Sequence, residues 1–422
     1  MEPQVTAALP TFEWNGLQGP GRPATLRLVN AAQILWLIRQ KGQCSRMELA
    51  RACGLSPPAV ASSVEYLKRQ GLIKTAGRGR SHGGRPPELI TFHPRRGYVV
   101  GIELERTGLR LALADLNGTV AHTEAYSLGA QSHPEQVVAR VTEGIEALLR
   151  RTGIARRRVL AVGVAVPGVT DPHDGSVRSA PHLRGWQNVP LRAMLASRLG
   201  ISVGVENDVN LGAVGESLAG RARGVRNFVF LGVGAGVGAG IYLEGRLYRG
   251  SHCTGGEIGY LLVPKAGVTA LDFNRPGPLE SIVGTVGIER AWRQARGRPL
   301  RLTAVEILDR AAAGHALAEK IARRTARVLA EAVLNLSVIL DPELVVFGGP
   351  LGLHPFLFQL TVQRVQQSRL SRPVLAPSAL GADSQLVGAV WMASRLAEAQ
   401  LLGSTGRPGV PHPQLDRVNR SA

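Results

Sequence analysis

The chain has 422 residues, 44% of them hydrophobic, which is typical of a globular protein and too long for one ordinary domain. Three cysteines are too few for a disulfide framework, and no stretch is long and apolar enough for a membrane helix. The sequence therefore excludes a small disulfide-stabilised protein and a protein with membrane-spanning helices. The net charge is +19, and residues 21–100 hold 14 basic and 3 acidic residues, a concentration that favours a polyanionic partner.

The two ends of the chain are expected to lack regular structure. Residues 1–22 are rich in Gly, Pro and Gln and predict a flexible arm, and residues 402–422 are rich in Pro, Gly and Arg and predict a disordered tail. The first residues have neither the basic region nor the apolar region of a secretory signal. We therefore expect a soluble, cytoplasmic protein with no membrane partner.

The first folded segment predicts a helix–turn–helix. An amphipathic helix over Thr25–Arg39 precedes residues 44–69, in which Gly54 is placed to end one helix in a left-handed conformation. Ser56 is a good N-cap for the next helix, and Pro57 at its first position loses no hydrogen bond. Apolar residues then recur at i, i+4 and i+7, which predicts one buried face: Val60, Val64 and Leu67.

A pair of strands is predicted after the second helix. The strand-like runs Gly71–Lys74 and Glu88–Phe92 flank a basic, Gly-rich segment, residues 78–87. Together with the helices they predict a winged helix–turn–helix domain over residues 23–92, whose tip can lay arginines along phosphates or into a minor groove. The alternative is that the segment is a solvated linker.

The candidate DNA contacts form three groups. Small side chains on the second helix suit thymine methyl groups and single hydrogen bonds to base edges: Ser56, Ala59, Ser62 and Ser63. Basic residues of the helices are expected to hold phosphates: Arg46, Lys68 and Arg69. Basic residues of the wing are expected in the minor groove: Arg78, Arg80 and Arg85. In a homodimer, the two second helices would enter successive major grooves of an inverted-repeat operator in double-stranded DNA.

From Tyr98 onward the pattern predicts an α/β body. Short apolar runs such as Leu160–Val166 alternate with amphipathic segments, which is typical of strands alternating with helices. We expect a first lobe over residues 97–212 and a second lobe over residues 213–384. A last helix over residues 385–398 is expected to pack back on the first lobe.

Several motifs of the body occur in a fixed order. They are Gly163–Gly168, Ser179–Trp186, Glu206–Asn210, Gly236–Gly240 and Gly255–Tyr260. On these motifs the chain resembles the ROK family of repressors and sugar kinases over about residues 25–400, and within it the regulators with an N-terminal winged helix–turn–helix. The resemblance implies a two-lobed actin/hexokinase-like (ribonuclease H-like) ATPase fold behind the DNA-binding domain.

Polar residues follow a predicted strand at the edge where open α/β sheets bind ligands. Asn207 offers a sugar one donor and one acceptor group, and Asp208 offers two acceptor oxygens. The resemblance implies that Asp208 matches the base of the family's kinases and that Glu257 and Glu280 match sugar-binding glutamates. It also implies that Tyr260 replaces a histidine and reaches a sugar hydroxyl. The alternative is that these acids lie on a solvated loop edge.

The chain departs from the family's kinases where the nucleotide would bind. Those kinases begin the body with Asp-x-Gly-Gly-Thr, but Glu103–Gly108 reads Glu-Leu-Glu-Arg-Thr-Gly, so long side chains replace the glycines that let the backbone approach phosphates. The Gly-rich residues 232–240 continue into Ile241–Leu243, which favours a β-hairpin over a dinucleotide loop that opens a helix. We expect no nucleotide cofactor and no catalysis, with Asp208 a vestigial base.

The structural zinc of the family also lacks its ligands here. The resemblance implies a histidine at the position of Tyr260 and three cysteines shortly after it, but residues 271–278 read Leu-Asp-Phe-Asn-Arg-Pro-Gly-Pro. Without thiolate and imidazole ligands, a tetrahedral zinc site cannot form there. We therefore expect no metal and no other cofactor.

The sequence thus predicts a sequence-specific DNA-binding repressor of carbohydrate genes, controlled by a sugar or a sugar-phosphate and assembled as a homodimer or tetramer. Two alternatives stay open. One is an active ATP-dependent sugar kinase with a fused DNA-binding domain, which Asp208 favours and the Glu103–Gly108 segment opposes. The other is an architectural DNA-binding protein whose body binds no ligand.

Overall fold

The computed structural model describes residues 23–80, 86–129, 133–263, 271–296, 302–369 and 373–403. Its packing divides the chain into two units. Unit 1 comprises residues 1–96 and 396–422, and unit 2 comprises residues 97–395. The predicted arm over residues 1–22 and the predicted tail beyond residue 403 lie outside the described ranges. Within those ranges, no helix combines the length and apolarity needed to cross a lipid bilayer.

Unit 1 begins as a winged helix–turn–helix, as predicted. Its elements are α1 (Pro23–Lys41), β1 (Gln43–Ser45), α2 (Arg46–Cys53), α3 (Pro57–Arg69), β2 (Ile73–Arg78) and β3 (Glu88–Phe92). The strands form an antiparallel sheet in the order β1-β3-β2. The strand predicted to start at Gly71 starts at Ile73 instead, because Gly71 adopts a left-handed conformation (φ +73°) in the turn that ends α3.

Local signals set the boundaries of the two central helices. Ser45 caps α2 and forms a capping box with Glu48, whose carboxylate accepts hydrogen bonds from the Ser45 backbone N–H and hydroxyl. Gly54 ends α2 with φ +65°, as its position predicts. Ser56 occupies the N-cap of α3, but its side chain makes no capping hydrogen bond. The predicted apolar face of α3 is fully buried: Val60, Val64 and Leu67.

The first lobe of unit 2 is built on a mixed sheet. Its elements are β4 (Tyr98–Leu104), β5 (Gly108–Asp115), β6 (Val120–Ser127), α4 (Pro134–Thr152), β7 (Val159–Val166), β8 (Val169–Asp171), β9 (Ser176–Ser179), β10 (Gln187–Val189), α5 (Leu191–Leu199), β11 (Ser202–Asn207) and α6 (Asp208–Ala219). The main sheet has the order β11-β7-β4-β5-β6, and β8, β9 and β10 form a small antiparallel sheet beside it.

The second lobe of unit 2 contains another mixed sheet. Its elements are β12 (Phe228–Val233), β13 (Val237–Leu243), β14 (Arg246–Tyr248), α7 (Glu280–Val283), α8 (Thr285–Arg296), α9 (Ala304–Ala312), α10 (Ala316–Leu340), β15 (Leu344–Gly348), α11 (Gly349–Gly352), α12 (Pro355–Gln366) and β16 (Val374–Pro377). The next helix, α13 (Ser384–Leu401), runs from unit 2 into unit 1. The strand order is β14-β13-β12-β15-β16. This α/β body of two sheets is the class predicted from the sequence.

The last helix, α13, packs against the first-lobe sheet and against α6. A Cβ atom on Gly163 of β7 would lie 2.2 Å from the carbonyl oxygen of Ala389, so only glycine allows this approach. On the other side, a Cβ on Gly388 would lie 2.0 Å from the carbonyl oxygen of Leu211 in α6. The helix is therefore held by backbone contacts that leave no space for movement of one element alone.

The end of α13 belongs to unit 1, where its polar contacts tie it to the helices of the winged domain. Glu398 forms an ion pair with Arg39 of α1, and both side chains are largely buried. The Tyr66 hydroxyl of α3 donates a hydrogen bond to the carbonyl oxygen of Leu402 at 2.8 Å. Leu402, the first residue of the predicted tail, is itself buried, so the ordered chain extends at least this far.

Candidate functional site

The junction between β11 and α6 carries the first predicted ligand residues. Asn207 is the N-cap of α6: its Oδ1 accepts from the N–H of Asn210, and its Nδ2 donates to the carbonyl oxygen of Gly168, each at 3.0 Å. Both ends of its amide are therefore engaged in building the junction. Asp208, the first residue of α6, is half-buried, and its Oδ1 accepts from the N–H of Val209 at 2.8 Å. Burial raises the pKa of Asp208 to about 6.

An ion pair between the lobes supports this junction. Glu206 is buried, and its Oε1 accepts from the N–H of Asn207 and from Nδ2 of Asn210. Its Oε2 accepts from Nε of Arg249 at 2.6 Å, and Arg249 follows β14 in the second lobe. Glu206 lies in the same motif but is not among the predicted site residues. Its ion pair with Arg249 depends on the tertiary fold, which the sequence around Glu206 does not reveal.

A second group of acids, in the second lobe, lies near Asp208; the space between the lobes at these acids is called the cleft. Glu257 stands at the N-cap of a short 3₁₀ turn, Ile258–Tyr260, and burial raises its pKa to about 7, with further contributions from the Asp208 and Glu280 carboxylates. Glu280, the first residue of α7, accepts from the N–H of Val237 through Oε2 at 3.0 Å. The structure thus brings the Asp208 and Glu280 carboxylates close enough to Glu257 to raise its pKa.

A histidine that was not among the predicted site residues, His182, lies beside these acids. Its Nε2 lies 3.0 Å from Oε1 of Glu280, and its proximity lowers the pKa of Asp208 against the larger effect of burial. It lies in the Ser179–Trp186 motif, so the motif contained the signal. Both carboxylate oxygens of Glu280 therefore have a partner, His182 at Oε1 and the Val237 N–H at Oε2. Glu280 thus helps to hold these two segments in place.

Tyr260 contacts the following loop rather than the acids. Its hydroxyl lies 2.7 Å from the carbonyl oxygen of Arg275 and 3.2 Å from that of Phe273. Its ring packs edge-on against Phe273, with 4.6 Å between ring centroids. Burial raises the pKa of Tyr260, so the phenol stays protonated and can donate. These contacts hold the loop that in the family resemblance would carry zinc, and residues 271–278 offer one carboxylate, Asp272, as a ligand. The family's zinc does not fit here.

Glu103, at the start of the segment Glu103–Gly108, is engaged in contacts within the protein. Glu103 is buried, and its Oε2 accepts from Nη1 of Arg110 at 2.9 Å. The same Nη1 donates to the carbonyl oxygen of Ala382 at 2.7 Å, and Nη2 pairs with Asp383. Burial raises the pKa of Glu103 to about 8, although Arg110 opposes that shift. An acid that is buried and already paired with arginine is poorly placed to hold a magnesium ion.

The second Gly-rich segment is a β-hairpin, as predicted. β12 and β13 pair antiparallel from Phe228 opposite Tyr242 to Val233 opposite Val237. A Cβ atom on Gly240 would lie 2.5 Å from the carbonyl oxygen of Val209. This glycine therefore permits close packing of the hairpin on α6.

The exposed side of α3 carries most of the predicted base contacts. Ser56 and Ser62 are exposed and Ala59 is half-buried, so all three can reach a partner. Ser63 is only 1% exposed and lies on the same face as Val60, so the prediction that it contacts a base edge is wrong. The reason is helical geometry: position 63 falls at i+3 from Val60, inside the buried stripe.

Charged residues around α3 form a network. Nη2 of Arg46 lies 2.8 Å from Oε1 of Glu65 and 3.7 Å from Oε2 of Glu88. Nζ of Lys68 lies 2.9 Å from Oε1 of Glu88. Such exposed pairs contribute little to stability, so both basic side chains can exchange their partners for phosphates. Glu65 is exposed on the same side as Ser62 and was not predicted; a carboxylate there can accept from a cytosine amino group.

The wing places two predicted arginines in solvent. Arg78 at the end of β2 and Arg80 just after it are both exposed, as is Arg69 at the end of α3. The Gly79 N–H donates to the carbonyl oxygen of Pro87, which extends the pairing of the wing strands toward the tip. Arg85 lies outside the described residues.

Comparisons with known proteins agree with this two-part organisation. A model of the ROK family matches residues 99–396, and a model of the MarR family matches residues 26–81. The chain is 26% identical to the xylose repressor of Caldicellulosiruptor bescii over 363 residues, covering 83% of this chain and 90% of that protein.

Solved structures show the same similarity. A ROK family transcriptional regulator, a homologue of the E. coli MLC protein, has a TM-score of 0.75 and 25% identity, covering 90% of this chain and 98% of that one. The ROK hexokinase of Thermus thermophilus has a TM-score of 0.60 and 29% identity, covering 71% of this chain and 99% of that one.

The raised pKa of Glu257 predicts how stability depends on pH. The folded chain keeps this proton up to about pH 7, whereas an unperturbed glutamate loses it near 4.5, so the free energy of unfolding falls as pH rises through that window. We expect Glu257→Gln to raise the free energy of unfolding at about pH 8 by about 1–3 kcal/mol and to leave it nearly unchanged at about pH 4. Urea unfolding followed by tryptophan fluorescence measures both values.

The control is Glu331→Gln, which removes an exposed carboxylate on α10 and should preserve the pH dependence. A Glu257→Gln protein with the same pH dependence as the unmodified chain would show that Glu257 is not held in a desolvated cleft.

Proposed function

The chain belongs to the ROK family, and on that basis we propose that it is a DNA-binding transcriptional repressor of carbohydrate genes whose affinity for DNA is set by a sugar bound in unit 2. The proposal is supported by the presence, in one chain, of a winged helix–turn–helix and a ROK body in which Glu103, at the start of the Glu103–Gly108 segment, is paired with Arg110. The similar proteins named as a xylose repressor and as a transcriptional regulator support it.

DNA recognition would use α3 and the wing of unit 1. In a homodimer, or in each half of a tetramer, two copies of α3 would enter successive major grooves about 34–36 Å apart on an inverted repeat. Ser56, Ala59 and Ser62 would face base edges, and Arg69 would hold phosphate. Arg78 and Arg80 would follow the backbone or the minor groove, which agrees with their exposure. Such a protein works where the chromosome is, in the cytoplasm.

The charge of the cleft favours a neutral sugar over a sugar-phosphate. Glu105, Asp208 and Glu280 each raise the pKa of a neighbouring acid, so the cleft already carries mutually repelling carboxylates. The Arg249 guanidinium, which could attract a phosphate, is already held by Glu206. A phosphate would add nearly two negative charges to this environment. Sugar hydroxyls, by contrast, donate well to carboxylates.

The response would travel from the sugar to the DNA-binding helices through α6 and α13. Asp208 is the first residue of α6, and a Cβ on Gly215 of that helix would lie 2.1 Å from the carbonyl oxygen of Ser384, the first residue of α13. At its other end α13 presents Glu398 to Arg39. A sugar can shift DNA binding through this path only if it binds one arrangement of the cleft better than the other.

An active sugar kinase is the competing function. The hexokinase likeness and the retention of Asp208 favour it, since a carboxyl with a pKa of about 6 can act as a base near neutral pH. Against it, Glu103 is paired with Arg110, and long side chains occupy the turn where phosphates would approach. A ligand-blind architectural protein is the other alternative, and the convergence of desolvated carboxylates in a cleft argues against it.

The wing makes a testable contribution to DNA binding. We expect Arg80→Ala, and likewise Arg78→Ala or Arg85→Ala, to weaken binding to DNA and to reduce the slope of log affinity against log salt by about one or less, because one phosphate contact is lost. Fluorescence anisotropy with a labelled genomic fragment at several salt concentrations measures this slope. Arg106→Ala, an exposed arginine of unit 2, is the matched control. Equal slopes for Arg80→Ala and the unmodified chain would remove the wing from the interface.

The sugar site is tested by a thermal-shift screen of free and phosphorylated pentoses, hexoses and amino sugars. We expect a neutral sugar to stabilise the chain, by about 2.7 kcal/mol at one hundred times its dissociation constant, and its phosphate ester to bind at least about tenfold more weakly. Tighter binding of the ester would contradict the electrostatic argument.

With the sugar identified, Asp208→Ala should abolish the change in DNA affinity that the sugar causes while leaving DNA binding itself intact. Glu331→Gln, far from the acids of the cleft in sequence and exposed, should respond normally. A normal response in Asp208→Ala would show that the sugar binds elsewhere.

A further inference from the structure

Three side chains of different chemistry meet outside the group of cleft acids. Asp171, His173 and Cys253 bring a carboxylate oxygen, an imidazole nitrogen and a thiol sulfur within 4.8 Å of one another. Asp171 ends β8 and His173 follows it in the next turn, in the first lobe, whereas Cys253 follows β14 in the second lobe. We propose that these three residues form a Zn²⁺ site that joins the two lobes of unit 2.

The donor set selects the metal. A thiolate with an imidazole and a carboxylate suits Zn²⁺ and related transition metals, whereas Mg²⁺ and Ca²⁺ take oxygen ligands. With ordinary zinc–ligand bonds, the donors of a tetrahedral site lie about 3–4 Å apart, so a change of about an ångström closes the group. The exposed His173 ring can make that adjustment by rotating. The fourth position is left for water.

Neighbouring groups already hold the ligands in place. The His173 N–H donates to Oδ1 of Asp171 at 2.9 Å, which fixes the turn that carries both ligands. Arg192 donates to the carbonyl oxygens of Pro172 and His173, at 2.6 and 2.7 Å. These contacts fix the backbone of the turn that carries Asp171 and His173.

Arg178 connects the two halves of the group. Its guanidinium pairs with Oδ2 of Asp171 and also donates to the carbonyl oxygen of His252, next to Cys253. This pairing occupies Oδ2 and leaves Oδ1 as the oxygen for the metal. Cys253 itself has φ +58°, a left-handed conformation that is unfavourable for a residue other than glycine.

Proton release accompanies metal binding at this cysteine. Burial raises the pKa of the Cys253 thiol, the carboxylates of Asp171 and Glu206 raise it further, and Arg178 and Arg249 oppose them. The metal-free cysteine is therefore a thiol at neutral pH, and Zn²⁺ binding converts it to a thiolate by releasing one proton to solvent. Zinc affinity should accordingly rise with pH.

The position of the site gives the metal a consequence for the cleft. Cys253 lies four residues before Glu257, and Arg249 of the same segment forms the ion pair with Glu206. Zinc bound from both lobes would restrict their relative motion and so change the rate or affinity of sugar binding. This consequence rests on the proposed function, whereas the metal site does not.

The sequence predicts no metal because its cysteines and histidines show no zinc spacing. The ligands become neighbours only through the fold, since about eighty residues separate Asp171 and His173 from Cys253. The site is also distinct from the loop of residues 271–278, where the family resemblance would place zinc.

The test is a zinc titration of the full chain, stripped of metal and of any affinity tag, against a chromophoric chelator. We expect one equivalent of tight binding, and at least about tenfold weaker binding in Cys253→Ser and in His173→Ala. The matched controls, Cys53→Ser and His252→Ala, should bind as the unmodified chain does. Co²⁺ in place of zinc should give a thiolate charge-transfer band that is lost only in Cys253→Ser.

Equal zinc binding in all five proteins would mean an adventitious ion only and would overturn the proposal, as would the absence of tight binding to the unmodified chain. Loss of binding in Cys53→Ser or His252→Ala would also overturn it by placing the metal elsewhere. Each readout is independent of sugar and of DNA, so it stands or falls apart from the proposed function.

Discussion

The contact between α6 and α13 is the constraint on which the rest of unit 2 depends. Gly215 and Gly388 let the two helices meet backbone to backbone, and a methyl group at either position would collide with a carbonyl oxygen. Beside them the fully buried Glu216 accepts from the Ser384 hydroxyl at 3.0 Å and from the N–H of Leu380 at 3.3 Å. A buried carboxylate is tolerable only when satisfied in this way, so the start of α13 is fixed to the helix that begins at Asp208.

The two halves of the proposed sugar site are held by different contacts, and the half nearest β4 is the one that departs from the family's kinases. At the β11–α6 junction, hydrogen bonds of Glu206 and Asn207 hold the first turn of α6, which begins at Asp208. At the end of β4, Glu103 is tied to Arg110, which also contacts the segment before α13. In this chain the segment that follows β4 therefore contributes to packing through the Arg110 contacts.

Features governed by neighbouring residues could be predicted from the sequence. The left-handed Gly54, the buried face of α3 and the Glu88–Phe92 strand depend on spacing and conformation within a few residues, and the structure agrees with each. The prediction that Ser63 contacts a base edge was wrong because its polar side chain suggested an exposed position, whereas Ser63 is buried. The partners of Tyr260 and the Arg249–Glu206 ion pair could not be foreseen, because each depends on a loop or lobe brought close only by the tertiary fold.

We propose that sugar occupancy alone, without phosphate transfer, sets the affinity of this protein for DNA. The most direct measurement titrates sugar into the chain bound to a genomic DNA fragment, with and without Mg-ATP, while a coupled assay follows ADP. We expect the same change in DNA affinity in both conditions and no formation of ADP. Sugar-dependent ADP formation that disappears in Asp208→Asn, or a DNA response that requires ATP, would contradict this proposal.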